Sequence, residues 1–320
     1  MGIVRPIIFL LIGFVILIKS SDFFVDAVSS IATNFKMSKM MIALTVAAFG
    51  TCVPELAISF QSISSQAGDI ALSNVLGSNI VNILLIVGFA AIVHPIRVKE
   101  QVIKKELPIL VVVTSAFVLS ILFHLVGFSN SDFILDRQDS FLLITLFIVF
   151  IFYIISVIRA KQGIFEHEKP KYGIVKSILI TIICCVSIVI SSDFVVENAK
   201  ILAEQLNVST KIITMTVVVI GTSLPEMTMT VVAAKKEEFD IALGNIIGTN
   251  IFNIGIVLGL PLLVYGGFSS VNFNVIDVIL VYIAALMLYL FARSDRKLSR
   301  REGIIMVILF IMYYAYVFVS

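Results

Sequence analysis

Charge is scarce in this chain. Of its 320 residues, 14% are Asp, Glu, Lys or Arg and 59% are hydrophobic, where a soluble domain carries about 25% charged and about 45–50% apolar residues. One soluble core cannot bury that much apolar surface, so lipid is the solvent this composition implies. There are three cysteines, Cys52, Cys184 and Cys185, all inside apolar runs. They read as small hydrophobes and exclude a disulfide framework. The three histidines, His94, His124 and His167, are too scattered for a metal cluster. No HExxH, no GxSxG and no Ser/His/Asp arrangement is present, which argues against an intramembrane enzyme. No basic cluster with interleaved aromatics suggests nucleic acid. The opening apolar run lacks a small-residue cleavage site and continues as a first span.

Apolar runs dominate what remains. Windows of about 20 residues between polar punctuation predict ten helices. They fall near 5–32, 38–63, 69–94, 107–127, 139–159, 174–203, 210–234, 239–266, 273–292 and 303–319. Eighteen basic residues then fall on one side, among them Lys36, Lys39, Lys104, Lys105, Lys236 and Arg296, against four on the other, Arg5, Arg137, Lys200 and Lys211. The positive-inside bias places the basic loops in the cytoplasm and both termini outside.

The sequence also repeats. "SSDFFVDAV" at 20 echoes "SSDFVVENA" at 191, and "DIALSNVLGSNIVNI" at 69 matches "DIALGNIIGTNIFNI" at 240. All pairs share an offset of 171 residues, without a gap from Ser20 to Ile83. Two units of five spans follow, 1–160 and 174–320, joined by a cytoplasmic linker at 161–173. Five is odd, so the second unit enters the membrane from the opposite side. The expected fold is an all-α membrane protein of ten transmembrane helices in two inverted-topology five-helix repeats, chiefly a transporter architecture with its substrate at the midplane.

Each unit places a helix breaker and a carboxylate inside an apolar run: "GTCVPE" from Gly50 and "GTSLPE" from Gly221. Pro54 frees the Gly50 carbonyl and disturbs Thr51, and Pro225 does the same to Gly221 and Thr222. Freed backbone at membrane depth is tolerated only inside protein or along a wet cavity. Glu55 shares a helix face with Thr51, and Glu226 with Thr222. Two carboxylates meeting at the repeat interface repel unless protonated or bridged by cations. With hydroxyls and carbonyls but no His or Cys ligand spacing, they favour a hard ion, Ca²⁺ or Na⁺. Two negative charges balance one Ca²⁺, two Na⁺ or two protons. Polar stripes at Asn74, Ser78, Asn82 and at Asn245, Thr249, Asn253 add oxygens. Asn82 and Asn253 read as site lining, and Asn74, Asn79, Asn245 and Asn250 as packing glue. Asp69 and Asp240 read as N-caps; the duplication of Asp22, Asp26, Asp193 and Glu197 fits scaffold as well as gating, and scaffold is the preferred reading.

These motifs resemble the two α-repeats of the cation/calcium exchanger superfamily, here at 43–83 and 214–254, and most closely those of prokaryotic Na⁺/Ca²⁺ exchangers. The resemblance covers the whole chain. It implies a secondary-active antiporter working by alternating access, with Ca²⁺, Na⁺ and the lipid bilayer as its partners. No cofactor and no obligatory protein partner is expected, and the chain is read as a monomer in the cell membrane. By the same resemblance Glu55 and Glu226 are the central Ca²⁺ ligands, with the carbonyls of Thr51 and Thr222. Sodium sites draw on Ser78, Ser223, Thr249 and the carbonyls of Ala48 and Val219, while Asn82 and Asn253 line the middle. Cys52 stands where the family usually has Ser, so by this resemblance one sodium site is either weakened or uses another oxygen. Asn253 stands where some members have Asp, and Val219 where potassium-dependent relatives often have Thr. The linker is too short for a regulatory Ca²⁺-binding domain. The runner-up is a H⁺/Ca²⁺ antiporter using the same two glutamates.

Overall fold

The computed structural model describes residues 4–65, 68–125, 135–160, 170–205, 221, 223–268 and 275–319. Ten helical segments cover most of them. They are α1 (Val4–Asn34), α2 (Lys39–Thr51 and Val53–Ser64), α3 (68–93), α4 (102–125), α5 (Arg137–Ala160), α6 (Ile174–Gln205), α7 (Leu224–Lys235), α8 (Phe239–Tyr265), α9 (Val275–Asp295) and α10 (Arg300–Val319). Among the described residues seven helices, or eight counting the bent α2, are long and apolar enough to cross a membrane. The chain is an all-helical, multi-pass membrane protein. The part of the seventh predicted span before Gly221 lies outside the described residues.

Burial sorts the helices. α3 and α8 are mostly enclosed by protein, whereas α1, α5 and α6 bare whole faces. Ile8, Leu11, Val15 and Ile18 of α1 and Val175, Ile182 and Ile190 of α6 are exposed, as lipid-facing side chains must be. α1 and α6 pack along each other. α8 reaches α2 at Gly248, where a Cβ would lie 2.7 Å from Ala48 Cβ and 2.8 Å from Leu44 O. A side chain there would force the helices apart.

The 171-residue offset runs through the elements. Val53–Ser64 of α2 and Leu224–Lys235 of α7 are related by it at both ends. α3 widens into a π-helical stretch at Val81–Val87 and α8 at Asn253–Leu258. Such wide turns are rare and gather at functional sites. α2 bends by 49° between Thr51 and Val53, two residues before Pro54.

Some boundaries differ from expectation. α4 starts at Val102 rather than near 107, so Lys104 and Lys105 lie in its π-helical first turns instead of a loop. α10 starts at Arg300, three residues early. A two-residue antiparallel ladder, β1 (Ile96–Arg97) with β2 (Lys297–Leu298), ties the α3–α4 loop to the α9–α10 loop on the basic side. Asp240 is not the N-cap of α8: Glu238 holds that position, and Asp240 Oδ2 accepts from Lys99 Nζ at 2.8 Å.

Candidate cation site

The bend in α2 begins the site. Cys52 N still donates to Ala48 O (3.1 Å) and Leu56 N to Cys52 O (3.0 Å), but Pro54 has no N–H for the Gly50 carbonyl. That carbonyl accepts the thiol of Cys185, on α6, at 3.3 Å. The helix restarts at Val53, so Glu55 falls in a first turn, where the aligned peptide dipoles favour negative charge. Glu226 has the same place in α7, directly after Pro225.

Each glutamate is 1% exposed. Among the described residues, Glu55 Oε2 and both carboxylate oxygens of Glu226 lack a hydrogen-bond partner. The helices packed against them carry more of the same. Ser78 Oγ and Asn82 Oδ1 on α3, Ser223 Oγ before α7, and Thr249 Oγ1 and Asn253 Oδ1 on α8 are all buried and, among the described residues, unpartnered.

The asparagines explain how their oxygens stay open. Asn82 Nδ2 donates to Asn250 Oδ1 at 3.0 Å, and Asn253 Nδ2 donates to Asn79 Oδ1 at 3.1 Å. The offset of 171 turns one bond into the other. Each amide spends its N–H on the opposite helix, which leaves its own oxygen unclaimed. Asn79 and Asn250 therefore act as packing groups, and Asn82 and Asn253 pair a packing N–H with an oxygen left unpartnered among the described residues.

Other expected ligands sit differently. The Thr51 hydroxyl turns back to Ala48 O (3.2 Å) and Ala47 O (3.4 Å). The Ala48 carbonyl thus already accepts from Thr51 Oγ1 and Cys52 N in this conformation. The Cys52 thiol is 2% exposed and points at the Thr249 carbonyl, at 3.9 Å. Thr222 and Val219 lie outside the described residues.

A second polar level was missed from sequence. Ser59 and Thr230, again 171 apart, are buried one turn beyond the glutamates, and Asn245 Nδ2 reaches Thr230 Oγ1 at 3.5 Å. The step of four from Thr51 to Glu55 to Ser59 carried the signal. His124 does meet carboxylates: its Nε2 is 2.9 Å from Asp139 Oδ2, which also accepts from Asp136 N at 2.8 Å. Asp136 Oδ1 accepts from Gln138 N and Asp139 N. That is a reciprocal cap on α5, tied to the end of α4.

Chemically, oxygen acceptors with two formal negative charges are gathered in protein interior, and the described residues supply no donors to these atoms. An uncompensated buried charge costs several kcal/mol. Hard cations relieve that cost, and an all-oxygen donor set suits Na⁺ or Ca²⁺ far better than a soft metal.

The sequence pattern of the family described as "Sodium/calcium exchanger protein" matches residues 5–156 and 176–319. The sodium/calcium exchanger MaX1 of Methanosarcina acetivorans is 31% identical over 97% of this chain and 97% of its own. Inner membrane protein YrbG of Escherichia coli is 35% identical, covering 81% of this chain and 79% of its own. In three dimensions the chain matches the sodium-calcium exchanger NCX_Mj, soaked with 10 mM Na⁺ and 10 mM Sr²⁺, at a TM-score of 0.82. That match has 32% identity and covers 98% of each chain. With both halves matched and the likeness running end to end, the chain belongs to the sodium/calcium exchanger family.

Proposed function

We propose that this protein, a transporter-family member and not an enzyme, exchanges Na⁺ for Ca²⁺ by alternating access. The observation that carries the reading is the set of buried, unpartnered oxygens around Glu55 and Glu226. Glu55 and Glu226 hold Ca²⁺, assisted by the carbonyls of Thr51 and Thr222. Ser78, Ser223, Thr249 and the Val219 carbonyl serve Na⁺, and Asn82 and Asn253 line the centre. The Ala48 carbonyl joins only in a conformation where it sheds one of its two donors. Mutual exclusion at one pair of negative charges couples the ions, since two Na⁺ or one Ca²⁺ neutralises the pair.

The frame for this is two inverted five-helix repeats, 1–160 and 174–320, joined at 161–173, with the basic side cytoplasmic and the termini outside. The matched ends of α2 and α7 and the exchanged asparagine bonds support it. So does the name of MaX1, a sodium/calcium exchanger. The name of YrbG supports a cytoplasmic-membrane location. The long, lipid-facing α1 and α6 are the parts that slide.

One observation favours H⁺/Ca²⁺ exchange as the second reading. Cys52 offers sulfur where a hydroxyl oxygen would serve Na⁺, and its thiol is turned to a backbone carbonyl. Radiocalcium uptake into Na⁺-loaded proteoliposomes, against matched vesicles carrying only an outward proton gradient, decides between them. Uptake that requires internal Na⁺ and ignores the pH difference supports the first reading. Uptake driven by protons alone overturns it.

A further inference from the structure

The repeat makes it possible to ask which polar contacts have a twin across the 171-residue offset. The ion-site asparagine bonds do. A second set, on the basic side, does not. Lys236, the C-cap residue of α7, directs its ammonium to Asp26 Oδ1 (2.6 Å), Asp22 Oδ1 (2.9 Å) and Asp22 O (2.8 Å), all on α1. Three N–H donors meet three acceptors. The other oxygen of Asp26 takes Lys171 of the linker at 2.6 Å, and the Asp26 hydrogen bond holds the Lys171 ammonium above its ordinary range. Asn34 Nδ2 donates to Tyr172 O at 2.8 Å, and Tyr172 N to Ser30 Oγ at 3.3 Å. Between this cluster and Glu226, Ser21 Oγ donates to Thr228 Oγ1 at 2.9 Å. The basic-side half of α1 is therefore sewn to α7 and to the end of the linker.

The acids of this cluster are duplicated: Asp22 matches Asp193, and Asp26 matches Glu197. Their partners are not. The position matching Lys236 is Ser65, the position matching Thr228 is Ala57, and Lys171 lies in the linker, outside both repeats. The positive-inside rule accounts for lysines on this side, but it does not require that they bind the acids of α1. Side-chain exposures of 25% for Lys236 and 17% for Asp26 shield the pair from much of the solvent screening that makes surface ion pairs nearly worthless.

We propose that Lys236, Asp22, Asp26 and Lys171 form a one-sided latch that holds α1 against α7 and biases the transporter toward the state closed on its basic side. The inference rests on the alternating-access reading. In a strictly symmetric repeat the two states would balance, and a contact made in only one of them shifts the population by its own free energy. The α6 end, facing the other way, lacks the equivalent basic residue on α2, so the two gates open with unequal ease.

Hydrogen exchange followed by mass spectrometry on the full-length protein in nanodiscs tests this without relying on transport. Lys236→Met should raise exchange about tenfold in 20–34 and 224–235, in line with losing one partner of a half-shielded pair. Segment 192–205 should stay unchanged, and Lys236→Arg should exchange like wild type. Asp26→Asn, which keeps shape and volume, should match Lys236→Met and carries the same test if that variant fails to fold. No rise in either variant, or an equal rise along 192–205, overturns the latch. If wild-type protein shows no Na⁺-driven Ca²⁺ uptake, the exchange reading fails, and these exchange rates still decide whether α1 is latched.

Discussion

Replacing Asn250 by Ala removes the oxygen that fixes the Asn82 amide, and the structure sets the size of the effect. Asn250 is fully buried, its Nδ2 has no partner, and its Oδ1 accepts from Asn82 Nδ2 at 3.0 Å. The substitution therefore costs one buried hydrogen bond and strands the Asn82 donor, while it removes the unpartnered Asn250 donor. A stranded buried donor costs about 1–3 kcal/mol, while interhelical hydrogen bonds in membranes average about 0.6 kcal/mol, with a maximum near 1.7. With one unpartnered donor removed, the net loss falls near the low end of either figure, and we expect about 1 kcal/mol. If the bond exists to aim the Asn82 oxygen, the loss appears in ion binding as about fivefold weaker Ca²⁺ affinity. Calorimetric Ca²⁺ titration of purified protein measures affinity, and thermal unfolding in detergent measures stability. Asn79→Ala removes the matching bond to Asn253 and also the contact of Asn79 Nδ2 with Asn250 O at 3.4 Å, so its loss should equal or slightly exceed that of Asn250→Ala. Unchanged Ca²⁺ affinity with lowered stability would show that the asparagines only pack helices. A tenfold disparity between Asn79→Ala and Asn250→Ala would refute the two-fold equivalence.

Glu55→Gln and Glu226→Gln should each abolish exchange and the stabilisation that Ca²⁺ gives against heat; near-normal uptake by either variant would remove that residue from the site. Ser223→Ala should weaken the Na⁺ dependence of uptake more than Ca²⁺ affinity, and equal loss of both would contradict its assignment to sodium. Cys52→Ser restores a hydroxyl and should keep or improve apparent Na⁺ affinity, so a fall would refute the reading of the thiol. Gly50→Ala should lower thermal stability modestly, because the added Cβ would lie 2.7 Å from Cys185 Sγ and turn that thiol away from Gly50 O. Cys185→Ala in the same chain should relieve the defect, and failure to do so would place the strain elsewhere.

Most of the helices were legible because membrane burial demands long apolar runs, and those runs are hard to mistake. The start of α4 was not, since Lys104, Lys105 and Glu106 look like loop residues. They are helical because the π-helical turn at Val102–Glu106 buries Val102, Ile103 and Glu106 while leaving the lysines outside. At the candidate site the glutamates announced themselves through cost: a carboxylate beside a proline in an apolar run, twice. Cys185 gave no such signal. Its thiol matters through Gly50 O, on a helix 135 residues earlier in the chain, and sequence alone does not supply that adjacency. The capping roles of Asp136 and Asp139 were equally hidden, because the apolar pattern marks where a helix passes and not what closes its end.

The interlocking of the halves has a consequence for biosynthesis. Asn82 finds its acceptor on Asn250, Ile96 pairs with Leu298, and α3 packs so closely on α10 that a Cβ on Gly88 would lie 3.0 Å from Gly303 O. None of these partners exists when α1 to α5 leave the ribosome. At about 5–20 residues per second, completing the second half takes roughly ten to thirty seconds. Throughout that interval Glu55, Ser78, Asn79 and Asn82 sit in a membrane without the surfaces that will enclose them. The first half thus carries polar groups whose partners arrive only with the second, for an interval set by the speed of translation.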